Sequence, residues 1–410
     1  MFRAHPLSHL IPSRNTFSAE PMTPATSAVV LSSLYSDSGG FVGAFCANSE
    51  RGPTWANRVA NYDRDEFRHD TPGNIKRFSE LPTARIQPGA GKGQRSIVWR
   101  HALEQWRKNG SEGPLPFSCY QDYGSCVDAE ASERITAMAG WRAAQPTLRE
   151  RFRRAAAWYR YANRGFCSDG WSGWACAKVA LQIGVAWRQK YDEGDFEDDD
   201  KNEQIVARTW CRNGVPKSLA ERTQREHPHK DGSITDFDGG MEGLRDVLLA
   251  GGTIATGGVV TSGGSRPFTP GRVGPHMQGI GGFDDTDEYR KFIKDRMGYT
   301  LPENDFALVF NQTWGEGWSG ECADQYWPDF WGEKPQGAWV CLASWALRNF
   351  EGDMLAWLPD FVGVADPNPV PPNPVPPPAP PGPIPPSGVV VGGQVTLNGK
   401  AYILVPKPEL

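Results

Sequence analysis

The chain has 410 residues, 39% hydrophobic and 11% aromatic, enough for one large globular domain or two smaller ones and too apolar for disorder throughout. Its formal net charge is -5, and no long Lys/Arg cluster interleaves with aromatics, which argues against nucleic acid as a partner. No run approaches the roughly 20 apolar residues that span a bilayer, and residues 1–30 lack the continuous apolar core of a secretory signal. Neither a membrane span nor export by the general route is therefore expected, and localisation stays open.

Residues 1–85 are rich in Ser, Pro, Gly and Arg without a sustained period and read as an irregular N-terminal arm or propeptide-like segment. The stretch from Ile97 to Gly110 predicts a helix ending on a glycine stop. In SCVDAEASERITAMAGW, Ser125 is placed to cap a second helix, with Asp128 in its first turn and Val127, Ala131, Ile135 and Met138 forming a buried stripe. TLRERFRRAAAWYRYANRG predicts a third helix with Leu148, Phe152, Ala155, Ala156 and Tyr159 on one face. A fourth runs from about Ser172 to Gly184. The acidic stretch Asp192 to Asp200 lacks the Gly and terminal Glu spacing of an EF-hand and reads as a solvated loop.

From about residue 240 the texture changes. A short helix in GMEGLRDVLLAGG leads into TIATGGVV, PHMQGIGGF and FALVFNQTW, short β-type runs bounded by Gly and Pro. Helices first and strands second predict an α+β protein with a helical half followed by an antiparallel, open-barrel-like β half. Residues 363–387 form a Pro-rich linker with the reach of an extended polyproline spacer. Residues 388–410 hold β-rich runs split by Gly392-Gly393 and Asn398-Gly399, a small β-hairpin module expected to dock on a partner or to oligomerise.

Cysteines stand at 46, 119, 126, 167, 176, 211, 322 and 341, without a CxxC pair, so no zinc site, other metal or cofactor is expected. Cys126 is distinguished by its place. A helix N-terminus presents unpaired N–H groups and the positive end of the dipole, which lower a thiol's pKa and favour the nucleophilic thiolate.

Six pieces in order then resemble the papain-like cysteine peptidases, particularly the bacterial and phage-type branch, over roughly residues 86–360. QDYGSC (Gln121 to Cys126) is similar to the family's Gln-Gly-x-Cys-Gly-Ser-Cys entry into the central helix. WYRYANRG, GWSGWACAKVALQIGVAW and LRDVLLAGGTIATGG follow. PHMQGIGGFDD resembles the histidine strand, and NQTWGEGWSG resembles Asn-Ser-Trp-Gly-x-x-Trp-Gly. The resemblance implies a two-lobed peptidase domain over 86–362 that hydrolyses peptide or protein substrates through a thioester acyl-enzyme.

It also implies roles. His276 is the general base to Cys126, 150 positions away, and Gln121 with the Cys126 N–H forms the oxyanion hole. Trp314 shields the histidine–amide pair from water. Three departures stand out. Gln121 precedes Cys126 by five residues where the family has six, and alignment on Trp314-Gly315 sets Gln312 at the orienting-amide position, with Asn311 as the alternative after a one-residue slip. Asp128 and Glu130 also bring carboxylates close to a thiolate. These departures admit a second reading, a catalytically weak or inactive structural or attachment protein, virion-associated, on the same fold.

Overall fold

The computed structural model describes residues 75–82, 86–111, 126–163, 173–197, 209–211, 213–260, 268, 274–311, 324–335, 337–349, 354–367, 394–397 and 400–403. Its first strand, β1 (Arg95–Ile97), runs directly into helix α1 (Val98–Lys108). Helix α2 (Cys126–Ala143) follows, then β2 (Glu150–Arg151), α3 (Ala157–Ala162), α4 (Gly173–Ile183), β3 (Lys190–Tyr191), β4 (Gly194–Asp195) and α5 (Lys217–Glu226). Most of the β structure comes afterwards: β5 (Ile234–Asp236), α6 (Gly240–Leu249), β6 (Thr253–Val260), β7 (Gly274–Asp284), α7 (Asp287–Met297), β8 (Ala307–Asn311), β9 (Trp339–Leu342), α8 (Ala343–Asn349), β10 (Met354–Trp357) and β11 (Val364–Ala365).

A mixed α+β architecture results. The strands of the main sheet lie in the order β5-β10-β6-β7-β8-β9, with β1 also on β7, and every pairing is antiparallel. Because side chains alternate along a strand, each face of the sheet carries its own core. One face sends Ala255, Met277, Leu355 and Trp357 into a cluster with Val127, Ala131, Ile135 and Met138 of α2, Trp99 of α1 and Trp174 of α4. Ala307, Val309 and Val340, farther across the sheet, pack with Tyr289 and Ile293 of α7. The other face buries Ile254, Ile280, Leu308 and Phe310 against Leu244, Val247 and Leu248 of α6 and Ala343 of α8.

The predicted helices at 97–110 and 172–184 form, and Gly110 and Gly184 take the positive φ (80° and 69°) that ends them. The third predicted helix is corrected. Glu150–Arg151 pairs with Val364–Ala365, Ala155 bridges Trp187, and only Ala157–Ala162 is helical, while Leu148 is exposed. Sheet pairing with residues distant in sequence overrides the helical propensity of this run. The acidic stretch is corrected in part: it begins with the turn of a hairpin between β3 and β4, and Phe196 is fully buried among Tyr159, Tyr191 and Trp210.

Within the N-terminal 85 residues, Arg77 bridges Asp236 and Ile75 joins the α2 core, while residues 1–74 lie outside the described residues. Of the proline-rich segment only 363–367 are described. Residues 370–410 form a separate unit, in which β12 (Gln394–Leu397) pairs antiparallel with β13 (Lys400–Ile403).

Candidate active site

Cys126 is the first residue of α2, is 2% exposed and belongs to no disulfide. Cys211 is disulfide-bonded to a partner outside the described residues. Ser125, the expected cap, and Gln121 also lie outside them.

α2 is not amphipathic in its setting. It runs between the sheet and the other helices, so Asp128, Glu130, Glu133 and Arg134 are as buried as the predicted apolar stripe. Burying charge is costly unless it is paired or neutralised. Glu130 accepts from Arg134 one turn on, and the Arg134 guanidinium lies over the Trp357 ring, 5.0 Å from its centroid. Burial nevertheless pushes the Glu130 carboxyl up to about 7 against the pull of Arg134. Burial, reinforced by the charge of Glu130, carries Glu133 well above the ordinary carboxylate range. Near Cys126, then, the Glu130 carboxylate is paired with Arg134.

The sheet receives α2 and α1 at glycines. A Cβ at Gly279 would collide with the Glu130 carboxylate, and one at Gly281 with the Trp99 indole. Asn311, at the end of β8, donates its amide N–H to Glu133 Oε2 at 3.0 Å, joining two residues 178 positions apart. Neither Glu133 nor Arg134 was singled out by sequence; a run of charges within an apolar stripe reads as a solvated face. The available clue was a glycine, Gly279, opposite the helix.

His276 lies in β7, its backbone paired with Gly258, and its side chain is outside the described residues, as are Gln312 and Trp314. The run of α2 along the sheet can be followed. Trp141, near its C-terminal end, packs where a Gly251 Cβ would be, just before the β6 end that pairs Ile254 with Ile280. Farther up, Glu130 meets Gly279, and Met277, next to His276, shares one apolar cluster with Cys126. The Cys126 end of α2 thus points toward the His276 end of β7. Among the described residues, no group of three or more His, Cys, Asp or Glu is arranged to hold a metal ion, and no helix is long and apolar enough to cross a membrane.

No protein-family model matches the sequence, and no curated protein sequence does. Several solved structures of cysteine proteases are similar to it in fold at low identity. Xylellain, a cysteine protease from Xylella fastidiosa, is 13% identical with a TM-score of 0.41, over 71% of this chain and 91% of that one. A procathepsin B from Trypanosoma congolense is 12% identical with a TM-score of 0.35, over 64% and 75%. A recombinant stem bromelain precursor is 12% identical with a TM-score of 0.31, over 82% and 99%.

Proposed function

We propose that the chain is a papain-like cysteine peptidase in which Cys126 attacks the scissile carbonyl, with His276 as general base and then general acid to the leaving amine. The observation that carries this reading is the junction of α2 and β7, elements from opposite halves of the sequence. Cys126 opens a buried helix whose first turns descend onto the strand bearing His276, at Met277 and Gly279. Cys126 lies about 6 Å along the helix from Glu130, and position 276 about 10 Å along the strand from Gly279, both toward the same end of the junction. A thiol at that helix end meets the dipole's positive pole, which favours thiolate–imidazolium pairing. Acylation then gives a thioester, which water hydrolyses.

Of the two candidate amides Gln312 is preferred, because the Asn311 side chain is already tied to Glu133. Gly279 pairs with Asn311, and both belong to the pleat that meets α2, where the Asn311 amide N–H is committed to Glu133. Gln121 and the Cys126 N–H make the oxyanion hole, and Trp314 covers the His276–Gln312 pair.

A second reading, an inactive structural or attachment protein on this fold, is favoured by the 2% exposure of Cys126. One experiment separates the two. The active peptidase reacts rapidly and stoichiometrically at Cys126 with an epoxide or haloacetamide probe, and Cys126→Ala abolishes peptide cleavage. Alkylation no faster than that of a free cysteine in solution, together with no turnover of peptides, would show the scaffold.

A further inference from the structure

Two stretches of chain that cross between the helical half and the sheet lie side by side. Residues 227–233 lead from α5 to β5, and residues 358–363 lead from β10 to β11. The Lys230 amide donates to the Asp360 carbonyl at 2.8 Å, the Val362 amide to the Pro228 carbonyl at 3.1 Å and the Leu358 amide to the Ser233 carbonyl at 2.7 Å. From the end of α4 the Val185 amide donates to the His227 carbonyl at 2.9 Å, and Trp187 packs on both His227 and Phe361. Between the crossings His229 bridges Phe361 and is 7% exposed. Its ring meets Trp357 and Phe361 edge to face, 5.8 and 6.0 Å between centroids. Neither ring nitrogen has a hydrogen-bond partner among the described residues. A neutral imidazole leaves one donor unmet in such a place, whereas an imidazolium leaves two and adds a buried charge.

The charged groups around the ring do not favour that charge. Arg160 of α3, fully buried, acts on His229 directly, while Arg134 lies over the Trp357 ring at 5.0 Å and Arg142 over the Phe361 ring at 5.2 Å. The nearby anionic groups face these arginines: Asp128 and Cys176 act on Arg160, Glu130 pairs with Arg134 and Glu150 with Arg142. We propose that His229 is an acid-sensitive latch on the two crossings: neutral, it packs between Trp357 and Phe361 and holds them closed; protonated, it opens them and loosens this junction. Burial first, then Arg160, pulls its proton affinity down to about 3 from 6.5. By linkage, closure is favoured fully above pH 6.5 and is lost as pH falls toward 3, so the ratio of open to closed crossings rises roughly seventyfold between pH 7 and pH 4.5. His227, half-buried in the same stretch, is also lowered by burial, and Glu226 and Glu150 raise it. Its Nδ1 lies 3.1 Å from the Val362 carbonyl, so its protonated ring keeps a partner.

The test is hydrogen–deuterium exchange of the full chain at pH 7 and pH 4.5, corrected for the pH dependence of intrinsic exchange. Glu130 shifts overall stability in the opposite sense across this range, so the readout is local: peptides spanning 227–233 and 358–363 against peptides spanning β8 and β9. In the wild type the crossings should lose roughly seventyfold more protection on acidification than β8 and β9 do. His229→Phe, which keeps an aromatic ring and cannot titrate, should remove most of that difference, and His229→Met serves if His229→Phe fails to fold. His227→Gln should retain it. A loss of protection shared equally with β8 and β9, an acid response unchanged in the folded His229 variant, or one that disappears in His227→Gln overturns the proposal.

Discussion

Replacing Glu133 by alanine and by glutamine asks what this buried carboxyl does for the fold. It is 3% exposed, and its Oε2 accepts the only N–H that ties Asn311 to α2 among the described residues. Burial first, and the neighbouring Glu130 second, raise its proton affinity well above the ordinary range, which favours its neutral form. A glutamine has the same length and keeps a carbonyl oxygen for Asn311. An alanine removes the acceptor and leaves a buried donor unsatisfied, which costs about 1–3 kcal/mol. The vacated volume adds a cavity cost toward the low end of the roughly 2–5 kcal/mol seen for large-to-alanine core changes.

Glu133→Ala should therefore lose about 3–5 kcal/mol, a large part of the roughly 5–15 kcal/mol that holds a typical domain folded. Glu133→Gln should stay within about 1 kcal/mol of the wild type. Urea denaturation at pH 7 measures both as shifts of midpoint at constant m-value. Equal losses in the two variants would refute the argument, because they would mean that an ionised carboxylate, held by Arg134, Arg154 and Arg188, is what the fold uses.

Glu130 predicts a pH dependence of stability. Its carboxyl titrates near 7 in the fold against 4.5 ordinarily, so the folded state holds the proton after the unfolded chain has released it. The associated stability is fully present below pH 4.5 and is lost as pH rises to about 7, amounting to about 3 kcal/mol. Glu130→Gln should flatten that window in denaturation midpoints taken across it, and an unchanged slope would contradict the burial argument. Gly281→Ala should destabilise by about 1–3 kcal/mol or more, since its methyl overlaps the fully buried Trp99; an unshifted melting temperature would show that α1 does not approach β7 so closely. Gln312→Ala should lower kcat/KM with little loss of stability, whereas Asn311→Ala should lower stability; the reverse pattern would return the orienting role to Asn311.

Segments whose ends and faces are specified locally were legible in the sequence. The helices at Val98–Lys108 and Gly173–Ile183 each carry an apolar face and stop at a glycine in the left-handed region. α7 carries signals as clear, with Thr286 accepting from the Tyr289 amide and Gly298 at φ 65°, yet a reading of the second half as short strands passes over it. The run from Thr147 to Gly165 fails for a different reason. Its residues favour a helix, but Arg151 and Glu150 find strand partners at Val364 and Ala365, more than 200 positions away, and no local pattern announces that pairing.

The candidate site shows the same division. Cys126 and His276 were singled out through ordered motifs, and in the fold the helix that Cys126 opens packs against the strand that holds position 276. What the motifs did not reveal is why a helix reading CVDAEASER can be buried on every side. The explanation lies in groups supplied by other elements: Asn311 for Glu133, the Trp357 ring for Arg134, and glycines at 279 and 281 that leave room for Glu130 and Trp99. A buried charged helix is stable only as a joint arrangement with its partners. Its sequence therefore reads as solvated until the strands that satisfy it are in place. The same dependence makes Asn311 more informative than its motif position: an amide committed to α2 fixes the pleat of β8 at the point where helix and sheet meet.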